Sequence, residues 1–138
     1  MFTYGYQRNP LEHCFQDAKR FGYDFIELWG GRPHAFAPDL KAGEIEEVKR
    51  LVDKYEIPVL GYTPEHNAYP YNFMIGSELQ RRDAVEYLKI CLDVAKELGA
   101  DYMMISQLMQ DIQPLIRKYG RGWRKPYENW VNMQKRWE

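Results

Sequence analysis

The sequence predicts an α/β fold with a parallel sheet, on three observations. Four short apolar runs, at residues 1–4, 25–28, 57–62 and 102–106, alternate with three amphipathic helical patterns. The unit recurs roughly every thirty residues, the length of a strand with its crossover helix. Long segments rich in Gly, Pro, His and aromatic residues follow the second and third runs, at the strand ends where α/β folds place their chemistry.

Taken in order, residues 1–4 are a strand candidate and residues 5–8 a turn. Asn9 is the expected cap of the first helix, with Pro10 at its first position and Glu12 three residues after the cap. Leu11, Cys14, Phe15, Ala18 and Phe21 follow at helical spacing, and Gly22 is the stop. The second strand, 25–28, enters a glycine- and proline-rich segment that runs to Asp39. A second helix leaves near Lys41 and shows Ile45, Val48, Leu51, Val52 and Tyr55 on one side. Pro58 opens the third strand, where a missing N–H does least harm. A second rich loop spans 63–72. Ser77 and Gln80 read as a capping box for a third helix that stops at Gly99. Residues 102–106 are the fourth strand. Serial strand–helix order allows two architectures, an open doubly wound sheet or part of a (β/α)₈ barrel, with right-handed crossovers in either. Neither a Gly-x-Gly-x-x-Gly turn nor a phosphate-binding lysine loop occurs, which weighs against the nucleotide-binding open sheet.

At 138 residues the chain fits a single domain, 1–138. Its net charge of −1 gives no reason to expect nucleic acid or an anionic membrane as partner. No apolar run approaches the ~20 residues of a membrane span, and the N-terminus lacks a signal-peptide pattern. Cys14 and Cys91 lack metal-ligand spacing and read as reduced thilos of a cytoplasmic protein. Beyond Ser106 the pattern changes. Leu108, Met109, Ile112, Leu115 and Ile116 suit a helix interrupted by Pro114, and Trp123, Tyr127, Trp130 and Trp137 suit another helical face. The basic excess there is read as a solvated face in preference to an RNA surface.

The segment from Glu27 to Asp39 is the centre of interest, because its aromatics, Arg32 and His34 suit a binding loop better than a plain connector. Glu27 alternates with Phe25 and Trp29 and so shares their face of the strand. A buried carboxylate there calls for a partner, with Arg8 and Arg32 as candidates. Arg32 alternatively meets an anionic part of a substrate. His34, His66, Glu27 and Glu65 offer ligating atoms but no recognised metal spacing, so these residues are read as holding no metal.

Residues 26–43, from Ile26-Glu27-Leu28-Trp29-Gly30-Gly31-Arg32-Pro33-His34 to Leu40-Lys41-Ala42-Gly43, resemble the sugar isomerase/epimerase superfamily with the xylose-isomerase-like TIM barrel. Gly61-Tyr62-Thr63-Pro64-Glu65, Tyr69-Pro70-Tyr71-Asn72 and the opening Met1-Phe2-Thr3 with Gln7-Arg8 agree. Within the superfamily the chain is most similar to ketose 3-epimerases of the fructoselysine type, from residue 1 to about Ser106. The resemblance implies about four βα units, the N-terminal half of a barrel of ~250 residues, with 107–138 a divergent tail.

The resemblance implies metal-dependent epimerisation of a ketose by proton transfer at carbon 3. A divalent Mn, Co, Ni or Zn ion acidifies that C–H, and paired carboxylates serve as base and acid. The family's ligands lie on strands five to eight, so this chain carries no catalytic or metal residue of the set and is expected to be inactive alone. It implies a substrate-binding role for Tyr6, Trp29, Thr63 and Glu65, with Asn67, Tyr69 and His34 as further candidates. The implied partners are a small-molecule sugar and a second copy of the chain in a homo-oligomer, since open sheet edges seek partners. Three other readings remain: an aldose–ketose isomerase of the hydroxypyruvate or xylose type, a non-catalytic half-barrel, and, more distantly, a base-excision endonuclease, against which the neutral charge counts.

Overall fold

The structure is a computed structural model that describes residues 1–66, 71–72 and 76–105. The chain divides into two compact units. One comprises Met1–Glu65 with Ile90–Ile105, the other His66–Lys89 with Ser106–Glu138. The tail expected at 107–138 lies outside the described residues.

The first unit is built on three parallel strands, β1 (Ile26–Gly30), β2 (Val59–Pro64) and β3 (Tyr102–Met103), in the order β1-β2-β3. Phe2 adds an isolated parallel bridge to Glu27 on the other side of β1. Four successive segments therefore lie side by side in chain order. A doubly wound sheet would reverse direction among its first four strands, and none of the described pairings does so. The winding is that of a barrel wall.

Helix α1 (Leu11–Phe21) buries Leu11, Cys14, Phe15 and Ala18, and α3 (Ile45–Tyr55) buries Ile45, Val48 and Leu51. These side chains make the core with Ile26, Leu28, Val59 and Tyr62 of the sheet and with Cys91, Val94 and Ala95 of α4 (Glu78–Glu97). Each large apolar side chain so buried stabilises the fold by about 1.5–3 kcal/mol. Glu12 of α1 accepts hydrogen bonds from Lys54 and Tyr55 of α3, at 2.6 and 2.8 Å, and ties the two helices at their rim. Gly22 stops α1 in the left-handed region, at φ 71°. Its N–H donates to Lys19 and the Tyr23 N–H donates to Ala18, satisfying the last carbonyls of the helix.

Four expectations change. The first strand is reduced to the Phe2 bridge, and Thr3–Tyr6 is a 3₁₀ turn. The ladder stops because the Thr3 hydroxyl, at 2.8 Å, takes the Trp29 N–H that a following backbone carbonyl would have taken. Asn9 does not cap α1. Pro10 holds the cap position in an extended conformation, and the Asn9 carbonyl accepts from the His34 ring instead. The strand expected at 102–106 is confined to Tyr102–Met103, while the second and third strands end two residues later than hydrophobicity suggested, because Trp29 and Gly30 continue the ladder against Thr63 and Pro64. The segment after β1 is consequently short. Residues 31–36 separate Gly30 from the helical turn α2 (Ala37–Asp39), an ordinary strand-to-helix length. The helix thus begins before Lys41. It widens over Leu40–Glu44 and kinks at Gly43, whose φ of 125° suits glycine, before α3.

In the second unit the expected capping box is present. The Ser77 N–H donates to Gln80 Oε1 at 2.8 Å, and the Gln80 N–H donates to Ser77 Oγ at 3.3 Å. Tyr71 stacks on Tyr87 with centroids 4.0 Å apart. Helix α4 starts in this unit and ends in the first.

Candidate functional site

The parallel register places Glu27 and Trp29 on one face of β1, beside Gly61 and Thr63 of β2 and Tyr102 of β3. This is the face away from the Leu28 and Tyr62 core, and a closing barrel turns it inward. An irregularity between Ile26 and Glu27 keeps the alternation: Ile26 pairs with Val59, Glu27 with Gly61, and Leu60 is passed over.

On this face Glu27 is half-buried and accepts two hydroxyl hydrogen bonds. Thr63 Oγ1 donates to its Oε1 at 2.6 Å, and Tyr102 Oη donates to its Oε2 at 3.2 Å. These neutral donors stand where an ion pair with Arg8 or Arg32 was expected. The reason is reach: Arg32 lies past the strand, where its guanidinium binds Asp39 in a fork at 2.6 and 2.8 Å and covers the Phe36 ring at 4.8 Å. That fork holds the Asp39 carboxyl below the usual carboxylate range. Burial, and then the Glu27 charge and hydrogen bond, push the Tyr102 phenol above its ordinary value.

Three glycines let the aromatic side chains lie flat. A Cβ on Gly61 would meet the Tyr102 ring at 2.5 Å, so Tyr102 folds across Gly61 to reach Glu27. The Trp29 ring occupies the space over Gly31. A Cβ on Gly30 would lie 2.6 Å from Tyr62 Oη and 2.7 Å from the Pro64 Cα. The Tyr62 hydroxyl, buried in this gap, donates to the Ala35 carbonyl at 2.8 Å and fastens the β1 loop to β2.

The expected binding residues can be placed in turn. Trp29 is 8% exposed, packs edge-on against Tyr4 at 5.3 Å and donates its indole N–H to Glu65 Oε2 at 3.3 Å. The Glu65 N–H donates to the Gly30 carbonyl, extending the β1–β2 contact past the strand end. Thr63, Glu65, Trp29 and Glu27 therefore form one polar wall at the carboxyl ends of β1 and β2. Tyr6 does not join it. Its hydroxyl donates to Asp17 on α1 at 2.8 Å, and that bond pushes its pKa up to about 12. His34 Nε2 lies 2.7 Å from the Asn9 carbonyl oxygen, which only accepts, so Nε2 carries a proton and the ring ties two loops together. Asn67 and Tyr69 lie outside the described residues. His66 is buried and belongs to the second unit. Tyr102 was not singled out in the sequence. Its signal was the small Gly61 set opposite two long polar side chains.

Among the described residues, no three of His, Cys, Asp and Glu gather around a common metal position. Glu27 holds two hydroxyl donors and Glu65 an indole donor, so the wall does not fit a divalent ion. No described helix is long and apolar enough to cross a membrane.

Parallel strands wound in chain order, with a helix after β1 and another after β2 and a polar wall at their carboxyl ends, define a protein of the (β/α)-barrel class. The chain belongs to the xylose isomerase-like TIM barrel family, whose model matches residues 15–138. It is 58% identical over 106 residues to a fructoselysine 3-epimerase of Escherichia coli O157:H7, and equally to one of Shigella flexneri. The aligned stretch covers 77% of this chain and 38% of each relative, so the chain spans under two-fifths of the curated relatives it matches.

Proposed function

We propose that this chain is the N-terminal half of a ketose 3-epimerase acting on a fructoselysine-type sugar, and that it supplies the substrate-facing wall of the barrel mouth. The single observation that carries this reading is the wall itself. Four polar or amphipathic side chains, Glu27, Thr63, Trp29 and Glu65, are hydrogen-bonded in pairs on the inward face of β1 and β2. Fixed polar groups beside an indole suit a sugar ring. The identity to fructoselysine 3-epimerases supports the substrate class.

In this reading a divalent ion and the carboxylates that move the carbon-3 proton are supplied by residues outside those described here. The wall binds and orients the sugar, and the half chain alone does not turn it over. Residues 1–138 are one domain, with 107–138 as its divergent end. The protein is cytoplasmic, with Cys14 and Cys91 kept as buried thiols, and self-associates through its open strand edges.

The test follows loss of the carbon-3 proton of fructoselysine in D₂O by NMR. The 138-residue chain with added manganese, cobalt, nickel or zinc is expected to give no exchange. A mixture with the C-terminal portion of a fructoselysine 3-epimerase is expected to restore it. Exchange by the chain alone would refute the inactivity of the half. Formation of an aldose by the mixture would refute epimerisation in favour of aldose–ketose isomerisation.

A further inference from the structure

We infer that Glu27 is a positioning residue that turns Thr63 and Tyr102 into hydrogen-bond acceptors, so that this wall takes groups that donate, sugar hydroxyls, and turns away phosphate esters. The inference rests on the sugar-binding reading above and extends it to the direction of the hydrogen bonds.

An ionised carboxylate only accepts. Each hydroxyl on Glu27 must therefore point its single proton at the carboxylate. The 2.6 Å Thr63 contact, with a charged acceptor, is in the short range of charge-assisted bonds. Its geometry is not a matter of chance rotamers. Thr63 is opposite Trp29 in the ladder and Tyr102 opposite Gly61, so all three side chains are delivered to one face by backbone pairing. Tyr102 is held over Gly61 because that position has no Cβ. Once the protons are committed, what Thr63 Oγ1 and Tyr102 Oη offer a ligand is lone pairs. Thr63 is half-buried and Tyr102 is 38% exposed, so neither side chain is sealed inside the described unit.

The consequence is selective. A hydroxyl can donate to this wall. A phosphate dianion brings acceptors alone and faces lone pairs and the Glu27 charge, with its own desolvation left uncompensated. A polar group that gives up water and finds no partner is expected to weaken binding by roughly tenfold. Glu27→Gln breaks the device without removing bulk. The Gln amide both donates and accepts, so Thr63 is then able to accept from it and turn its proton outward.

The experiment uses the 138-residue chain, ¹⁵N-labelled, with three probes: fructoselysine, its phosphate monoester, and the permethylated sugar, which is neutral but has no hydroxyl donor. Amide shifts at Gly61, Thr63 and Tyr102 are followed up to the solubility of each sugar. Fructoselysine is expected to shift them, and both other probes to bind roughly tenfold more weakly or less. Glu27→Gln is expected to collapse that discrimination. Thr63→Val is expected to lose the fructoselysine shifts, and Thr63→Ser to keep them. Equal shifts from fructoselysine and either other probe overturn the acceptor wall and leave the sugar-binding reading standing. Discrimination unchanged in both Glu27→Gln and Thr63→Val overturns the role of Glu27. No shift with any probe, in a chain whose amide spectrum is folded, overturns the inference and the sugar-binding wall together.

Discussion

Replacing Tyr62 by Phe removes one buried oxygen and tests what fastens the β1 loop. The Tyr62 hydroxyl donates to the Ala35 carbonyl at 2.8 Å, and both residues are fully buried. In the variant the carbonyl loses that donor and water does not reach it to replace it. A buried polar group stripped of its partner costs about 1–3 kcal/mol. For a unit of this size each kcal/mol lowers Tm by about 4–8 °C. Burial holds the phenol well above its ordinary pKa, so the hydroxyl stays protonated and the loss is expected to be equal at pH 6 and pH 9. The assay is urea unfolding followed by circular dichroism, which reports backbone structure independently of the tryptophans beyond Ser106. A change below about 0.5 kcal/mol refutes the claim that this bond secures the loop. Gly30→Ala sharpens the test. Its Cβ would meet the Tyr62 oxygen at 2.6 Å, but also the Pro64 Cα at 2.7 Å, which is backbone of the paired strand. Tyr62→Phe removes the oxygen but keeps the ring Cζ, which would lie 2.7 Å from that Cβ, and leaves the Pro64 contact untouched, so the double variant is expected to remain more destabilised than Tyr62→Phe alone.

Two further outcomes concern single bonds. Ser77→Ala removes half of the capping box on α4 and is expected to cost about 1 kcal/mol in urea unfolding, with Ser77→Asn retaining most of it. The Tyr6 phenol is held at about 12, first by its bond to Asp17 and then by burial, and ¹³C NMR of the ring is expected to show it falling towards 10 in Asp17→Asn. The sign follows from a folded pKa above the unfolded one. The bond stabilises fully below about pH 10, and that contribution is lost as pH rises through about 12.

The sequence by itself determined what rests on neighbours within a few residues. The apolar stripes of α1 and α3, the Gly22 stop and the Ser77–Gln80 box are all local patterns; the stop and the box are present as read, and the stripes are buried through Ala18 and Leu51, with Phe21 left exposed at the end of α1. The serial order of strands and helices carried the fold class, and the residues from Ile26 to Gly43 carried the family. Tertiary structure decided the partners of the polar face. Glu27 takes its donors from residues 36 and 75 positions away, through a strand register with one irregularity that no local signal marks. It likewise decided that Thr3 ends the first strand with its side chain, that Asn9 serves His34 and not its own helix, and that Tyr6 turns to Asp17. A carboxylate in sequence announces only its need for a partner. Which group answers depends on where the pleat, the register and the missing Cβ atoms bring distant side chains, and that is settled only when the sheet has formed.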